Sequence, residues 1–149
     1  MAQQITAMAD EFRAHLSRQH TMCDRLESLA DSLPNEINVQ ECLYVAQSLL
    51  PTVVTAHRFE EERIFPALKQ APHAPTLDET LDRLGFEHMG DEQYAEEISL
   101  ALKGYVTDRR SHNPETMAWM LRGFFDSLRR HIAFEREHVL PLLEKARAA

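Results

Sequence analysis

Four stretches of the chain repeat apolar residues at every third or fourth position, and each is closed by proline or by turn-forming residues. That period marks one face of an α-helix and conflicts with the strict alternation of a half-buried strand. The first stretch carries Ile5, Met8, Phe12, Leu16, Cys23, Leu26, Ala30 and Leu33, and Pro34 ends it by forcing the preceding residue out of the helical region. Asn38 followed by Glu41 reads as an N-cap with its capping-box partner. The second stretch carries Leu43, Tyr44, Ala46, Gln47, Leu50, Val53, Val54, His57, Glu61, Ile64, Phe65 and Leu68, with Pro51 inside it predicting a kink. Pro72 and Pro75 place a loop over Ala71–Thr76. Thr76 or Asp78 is expected to cap the third stretch, which holds Leu81, Leu84, His88, Glu92, Ala95, Ile98 and Leu102 in phase and fades over Thr107–Asn113. Pro114 opens the fourth, with Met117, Met120, Leu121, Phe124, Leu128, His131, Glu135, Val139 and Leu142 on its apolar face. Four helices of about 25–33 residues joined by short loops predict an all-α, up-down-up-down antiparallel four-helix bundle. A single domain over residues 1–149 is expected.

Composition narrows the function classes. With 44% hydrophobic residues and 27% charged, the chain has a core's worth of apolar side chains, and 4 Gly with 7 Pro are too few for the many turns of an all-β fold. Sixteen Lys and Arg against 24 Asp and Glu leave a net charge of −8, a field that repels nucleic acid and anionic membrane surfaces. No apolar run approaches the ~20 residues of a membrane span. Cys23 and Cys42 form neither a CxxC motif nor a disulfide framework, and no leader pattern is evident, so a reduced cytoplasmic protein is expected. Cys23 reads as a small core residue, and Phe12, Phe59, Phe65, Phe86, Phe124 and Phe134 are expected in the core.

The chemistry lies in an internal repeat. The second helix contains His57-Arg-Phe-Glu-Glu61-Glu-Arg-Ile-Phe65-Pro66, and the fourth contains His131-Ile-Ala-Phe-Glu135-Arg-Glu-His-Val-Leu140-Pro141. In each, an imidazole and a carboxylate one turn apart share the apolar face. Proline follows His57 by nine residues and His131 by ten, which leaves Glu61 and Glu60 both open as the carboxylate, and the phase with Ile64 and Phe65 favours Glu61. A carboxylate on a buried face must be paired, protonated or metal-bound, because leaving it bare costs several kcal/mol of desolvation. The third helix adds His88 and, one turn on, Glu92; the first offers His15 or His20 at the edge of its stripe. Glu92 reads either as a ligand or as a hydrogen-bond partner of one. The midpoint of His57 and His88 falls in the central loop and that of His88 and His131 in the last one, so three helices bring an imidazole to one level. Imidazole with carboxylate is the donor set of non-haem iron, with zinc and manganese as alternatives, and facing helices of a bundle are where such centres are built. His73, His112 and His138 read as loop or surface residues.

These marks resemble the hemerythrin-like proteins of the HHE cation-binding type, in their bacterial single-domain form. The resemblance runs over nearly the whole chain and rests on His20-Thr-Met-Cys23-Asp24-Arg-Leu26, on His57 and Glu61 with Phe65-Pro66, on Glu87-His88, and on His131 and Glu135 with Leu140-Pro141. It implies two non-haem iron ions with His57, His88 and His131 as terminal ligands and Glu61 and Glu135 as bridges. From the first helix it favours His20 through the His-x-x-Cys-Asp-x-Leu run; His15, nearer the centre of the stripe, is the alternative. Where the oxygen-carrying animal proteins have a second histidine on the third helix this chain has Glu92, and their last carboxylate is an Asp five residues on, which argues against stable oxygen carriage. The expected function is binding or sensing of O2, NO or peroxide at a carboxylate-bridged centre. A di-iron enzyme turning over peroxide or NO, and iron storage or buffering, are the alternatives.

Overall fold

The computed structural model describes residues 1–148, and all the regular structure among them is helical. Helix α1 spans Ala2–Ser32. Helix α2, Val39–Phe59, passes into a π-helical turn, Glu60–Ile64, and ends in the short helix α3, Phe65–Gln70. Helix α4 spans Thr76–Thr107, and a 3-10 turn at Arg109–Ser111 leads to α5, Pro114–Phe134. A second π-turn, Glu135–Val139, connects α5 to α6, Leu140–Ala148. The chain thus forms four helical rods, two of them bulged.

Local chemistry accounts for most of the boundaries. Asn38 accepts from the Glu41 amide and Asn113 from the amides of Glu115 and Thr116, each satisfying donors that a helix start leaves free. Glu41 does not complete a capping box; its carboxylate takes the Arg25 guanidinium at 3.0 Å. The expected side-chain cap on the third rod is absent: Thr76 is the first helical residue, and Pro75 precedes it without a side-chain hydrogen bond. Helix α2 runs on through Pro51. The two π-turns have a common cause. Pro66 and Pro141 lack an amide hydrogen, and immediately before each the backbone widens, with Phe65 donating to the Glu60 carbonyl and Leu140 to that of Glu135.

Each bulge inserts a residue into the helical count and rotates the next turns of the rod. In α6 the core residue is therefore Leu143, 0% exposed, and the expected Leu142 is turned out to 37%. On α2 the inward face is Cys42, Val45, Ala46, Leu49 and Val53, while the expected Leu43 and Tyr44 are exposed. Tyr44 lies instead under the Arg25 guanidinium. Phe86, expected inside, is 76% exposed. The remaining interior is contiguous, built around Phe12, Leu16, Leu49, Ile64, Leu84, Ile98, Leu121 and Phe124. Cys23 and Cys42 are both free and fully buried in it.

Helix α1 packs against α2, α5 and α6, α2 against α4, and α4 against α5. Side-chain pairs set residues early in one rod against residues late in its neighbour. Arg13 pairs with Glu144, Arg129 with Asp24 and Glu27, and Arg122 with Asp31. Lys69 lies by Asp82, and the Tyr94 hydroxyl donates to the Met120 carbonyl. No described helix is long and apolar enough to cross a membrane.

Candidate metal centre

Five donors converge where the two π-turns face α4. His57 comes from the last turn of α2, Glu60 opens the first π-turn, His88 lies mid-way along α4, His131 closes α5 and Glu135 opens the second π-turn. Ligand atoms of His57, His88 and His131 lie within 4.8 Å of one another, as do those of Glu60, His88, His131 and Glu135. The His57 and His88 rings stack at 3.8 Å, with 8° between their planes. His88 Nε2 sits 3.5 Å from Glu60 Oε1 and 3.6 Å from Glu135 Oε1, and His131 Nε2 is 2.5 Å from the same Glu135 oxygen. Both π-turns thus begin on a carboxylate aimed into the cluster, in line with the concentration of such bulges at functional sites.

The inner atoms of this cluster lack protein partners. His57 Nε2, His88 Nε2, both oxygens of Glu60 and Glu135 Oε2 are buried without a hydrogen bond. A packed core rarely leaves polar groups in that condition, and five of them around one point form a set of lone pairs that a divalent cation satisfies together. The electrostatics are those of a site built for positive charge. Burial and then the neighbouring Glu135 push the Glu60 carboxyl well above its ordinary range. Burial works in the same direction on Glu135, but the close approach of Glu60 and of the His131 and His88 rings outweighs it and holds that carboxyl down. Burial, reinforced by His88 and His131, drives His57 down to about 2, so its ring is neutral and keeps a lone pair for a metal. On His131, burial favours the neutral ring but the Glu135 carboxylate prevails and the net shift is upward.

The outward nitrogens of the same rings are held by carboxylates from other rods. His57 Nδ1 is 3.1 Å from Glu92 Oε1 of α4, and His88 Nδ1 is 3.0 Å from Glu61 Oε1 of the first π-turn. His131 Nδ1 faces Glu87 Oε2 at 3.5 Å and Asp91 Oδ2 at 3.8 Å. A carboxylate accepting from Nδ1–H fixes the tautomer that leaves Nε2 free, the arrangement expected around metal-binding histidines. His131 also lines a cavity of about 270 Å³ that opens between α4 and α5, bounded by Glu87, Asp91, Ser127, Arg130 and Phe134.

The structure brings together His57, His88, His131 and Glu135, and beside them lies Glu60 where the spacing points to Glu61. Glu60 is 0% exposed within the cluster, whereas the Glu61 side chain is 44% exposed and reaches only the outer nitrogen of His88. The constant helical period behind the choice of Glu61 fails because the π-turn intervenes. A signal for Glu60 stands in the sequence: Glu60 and Glu135 each precede their proline by six residues, so alignment on Pro66 and Pro141 selects it where alignment on the histidines does not. On α1 the inward histidine is His15, 6% exposed, with its ring 4.9 Å from that of Phe59. The favoured His20 is 45% exposed and lies beside Asp24. His15 itself stands outside the five-donor cluster, its ring nitrogens near Arg18 and Glu11. Glu92 lies at the outer nitrogen of His57, away from the inner donors.

The model of the Hemerythrin HHE cation binding domain matches residues 7–143 of the chain. No curated protein and no solved structure matches it at significance.

Proposed function

The chain belongs to the hemerythrin HHE cation-binding family, and from that premise we propose that it is a non-haem di-iron protein that binds or senses a small ligand such as O2, NO or peroxide. The observation that carries the reading is the set of partnerless inner atoms on His57, His88, Glu60 and Glu135. Its residues fit a metal in number and kind: three imidazoles and two carboxyl groups, all buried. The framework is an up-down-up-down bundle, supported by the early-to-late side-chain pairs along its rods.

In this reading His57, His88 and His131 would each offer Nε2 to the metal, and Glu60 and Glu135 would offer their carboxylates. His15, on the buried face of α1, is the added ligand from that helix. When bound, the iron pair supplies an electron-exchanging, Lewis-acidic position for the exogenous ligand. The protein holds the imidazoles rigid through Glu92, Glu61, Glu87 and Asp91. Phe65, its ring 5.8 Å from that of His88, covers part of the centre, and the opening beside His131 admits small molecules. Glu92, 3.1 Å from His57 Nδ1, is placed to hold or pass a proton there, and burial and then Glu61 raise its carboxyl above the ordinary value.

The test is metal analysis of protein purified without chelator, with visible spectra of the anaerobically reduced protein before and after exposure to O2. About two irons per chain and a charge-transfer band that reverses on removing O2 support binding or sensing. Two irons with an irreversible change support turnover of the oxidant instead. Zinc alone, or no metal, overturns the di-iron reading.

A further inference from the structure

The bundle opens at the end where the bulged rods finish. Between the Ala71–Thr76 loop and α6 lies a cavity of about 730 Å³, within the ~300–1,000 Å³ of sites that enclose small molecules. Leu68, Leu77, Phe134, Val139 and Leu142 form its apolar lining. Leu142 is there because of the π-turn: the inserted residue sends Leu143 to the core and leaves Leu142 facing the cavity. The polar side of the lining is one-signed. Arg83 and Lys145 border the cavity and no aspartate or glutamate lines it, in a chain whose 24 acidic residues outnumber its 16 Lys and Arg; His73 and His138 also border it, each with a carboxylate beside it, Asp78 at 3.4 Å and Glu137 at 3.8 Å. Arg83 is only loosely engaged elsewhere, its Nε 4.0 Å from Glu87 Oε1. None of the five clustered donors lines the cavity, so the inference is independent of the metal.

We propose that this cavity binds a free aliphatic carboxylate, its tail against Leu68, Phe134 and Leu142 and its carboxylate taken by Arg83 and Lys145. Apolar lining alone would accept any hydrocarbon; the one-signed rim selects the anion.

The test is calorimetric titration of the full-length protein, as purified, with decanoate, decanol and decyltrimethylammonium. Decanoate is expected to bind one per chain, at least tenfold more tightly than decanol, and the cation not at all. The double variant Arg83→Glu, Lys145→Glu is expected to weaken decanoate at least tenfold with metal content unchanged. Leu142→Trp, which fills the cavity from a part-exposed position, is expected to abolish binding of decanoate and decanol alike and guards against misfolding of the charge-reversed protein. Equal binding of the three probes, or none, overturns the proposal. So does sedimentation as a dimer whose dissociation by Leu142→Glu shows that a second copy covers the cavity, and so does decanoate binding unchanged in both variants.

Discussion

Glu60 is expected to destabilise the metal-free protein, and replacing it by leucine should make that form more stable. Its carboxyl is 0% exposed, neither oxygen has a hydrogen bond, and Glu135 lies beside it. Leaving a buried polar group unpaired costs about 1–3 kcal/mol, a cost that an apolar residue of similar size at the same position does not incur. An increment of about 2 kcal/mol corresponds to a rise in Tm of about 4–8 °C for a chain of this size. Glu61→Leu is the control and should move the other way. Its side chain is 44% exposed and accepts from His88 Nδ1, so its removal loses one hydrogen bond, about 0.5–1.5 kcal/mol. The assay is thermal unfolding followed by circular dichroism, with metal stripped by chelator and then restored. In the restored samples the order should reverse: ligand binding stabilises the wild type by mass action, and Glu60→Leu forfeits a donor. A lower Tm for metal-free Glu60→Leu, or a higher one for Glu61→Leu, would refute the assignment of Glu60 as the inward, unpaired carboxylate.

The same geometry sets five further outcomes. Glu92→Gln should weaken metal binding about 10- to 100-fold in a competition titration with little change in fold, because its carboxylate fixes the His57 tautomer. His15→Ala should lower iron content where His20→Ala does not, read by metal analysis, since only His15 is on the buried face of α1. Burial raises the thiols of Cys23 and Cys42 to about 12 and about 11 from an ordinary 9.0, so neither should react with a thiol reagent at pH 8 until the protein is denatured. An unfolded thiol ionises first, so stability should fall as pH rises from about 9 toward 11, and a Cys23→Ala, Cys42→Ala variant should lose that part of the slope. Arg129→Ala should cost about 1 kcal/mol in denaturant unfolding, since this partly buried guanidinium bridges Asp24 and Glu27 of α1 and lies over Phe125.

The helices were legible because amphipathic periodicity is a local record of a global core, and the loops because proline and asparagine act through their own backbones. Asn38, Pro72, Pro75, Asn113 and Pro114 all stand at or near the helix boundaries they predict. The failures share one origin. Periodic reasoning carries a fixed 3.6-residue phase, and the two π-turns break it at the centre: Glu61 yields to Glu60, and Leu142 to Leu143. On α1 the stripe and the motif point to different residues: His15 near the middle of the stripe is buried, and His20 of the His-x-x-Cys-Asp run has its side chain 45% exposed. The outer carboxylates were the least accessible, because Glu92 meets His57 across 35 residues and Glu61 meets His88 across 27, each between different rods. No local pattern encodes such a pair.

Those pairs give the centre a second consequence. Glu92 of α4 holds a histidine of α2, Glu61 beyond α2 holds a histidine of α4, and Glu87 with Asp91 of α4 face the histidine of α5. Every histidine of the cluster is therefore restrained by a rod other than its own. A cation at the inner nitrogens would close each link from inside, tying α2, α4 and α5 into one unit. The link matters most between α4 and α5, which pack less extensively than α1 does against α5 or α2 against α4, and where the cavity beside His131 opens. Metal removal should accordingly raise amide hydrogen exchange along the facing turns of α4 and α5, around residues 84–91 and 127–134, before it does so in α1, which Arg13, Arg122 and Arg129 clamp to the last rod independently of the site. Exchange that rises uniformly over all four rods would show that the centre stabilises the bundle as a whole and does not act through these pairs.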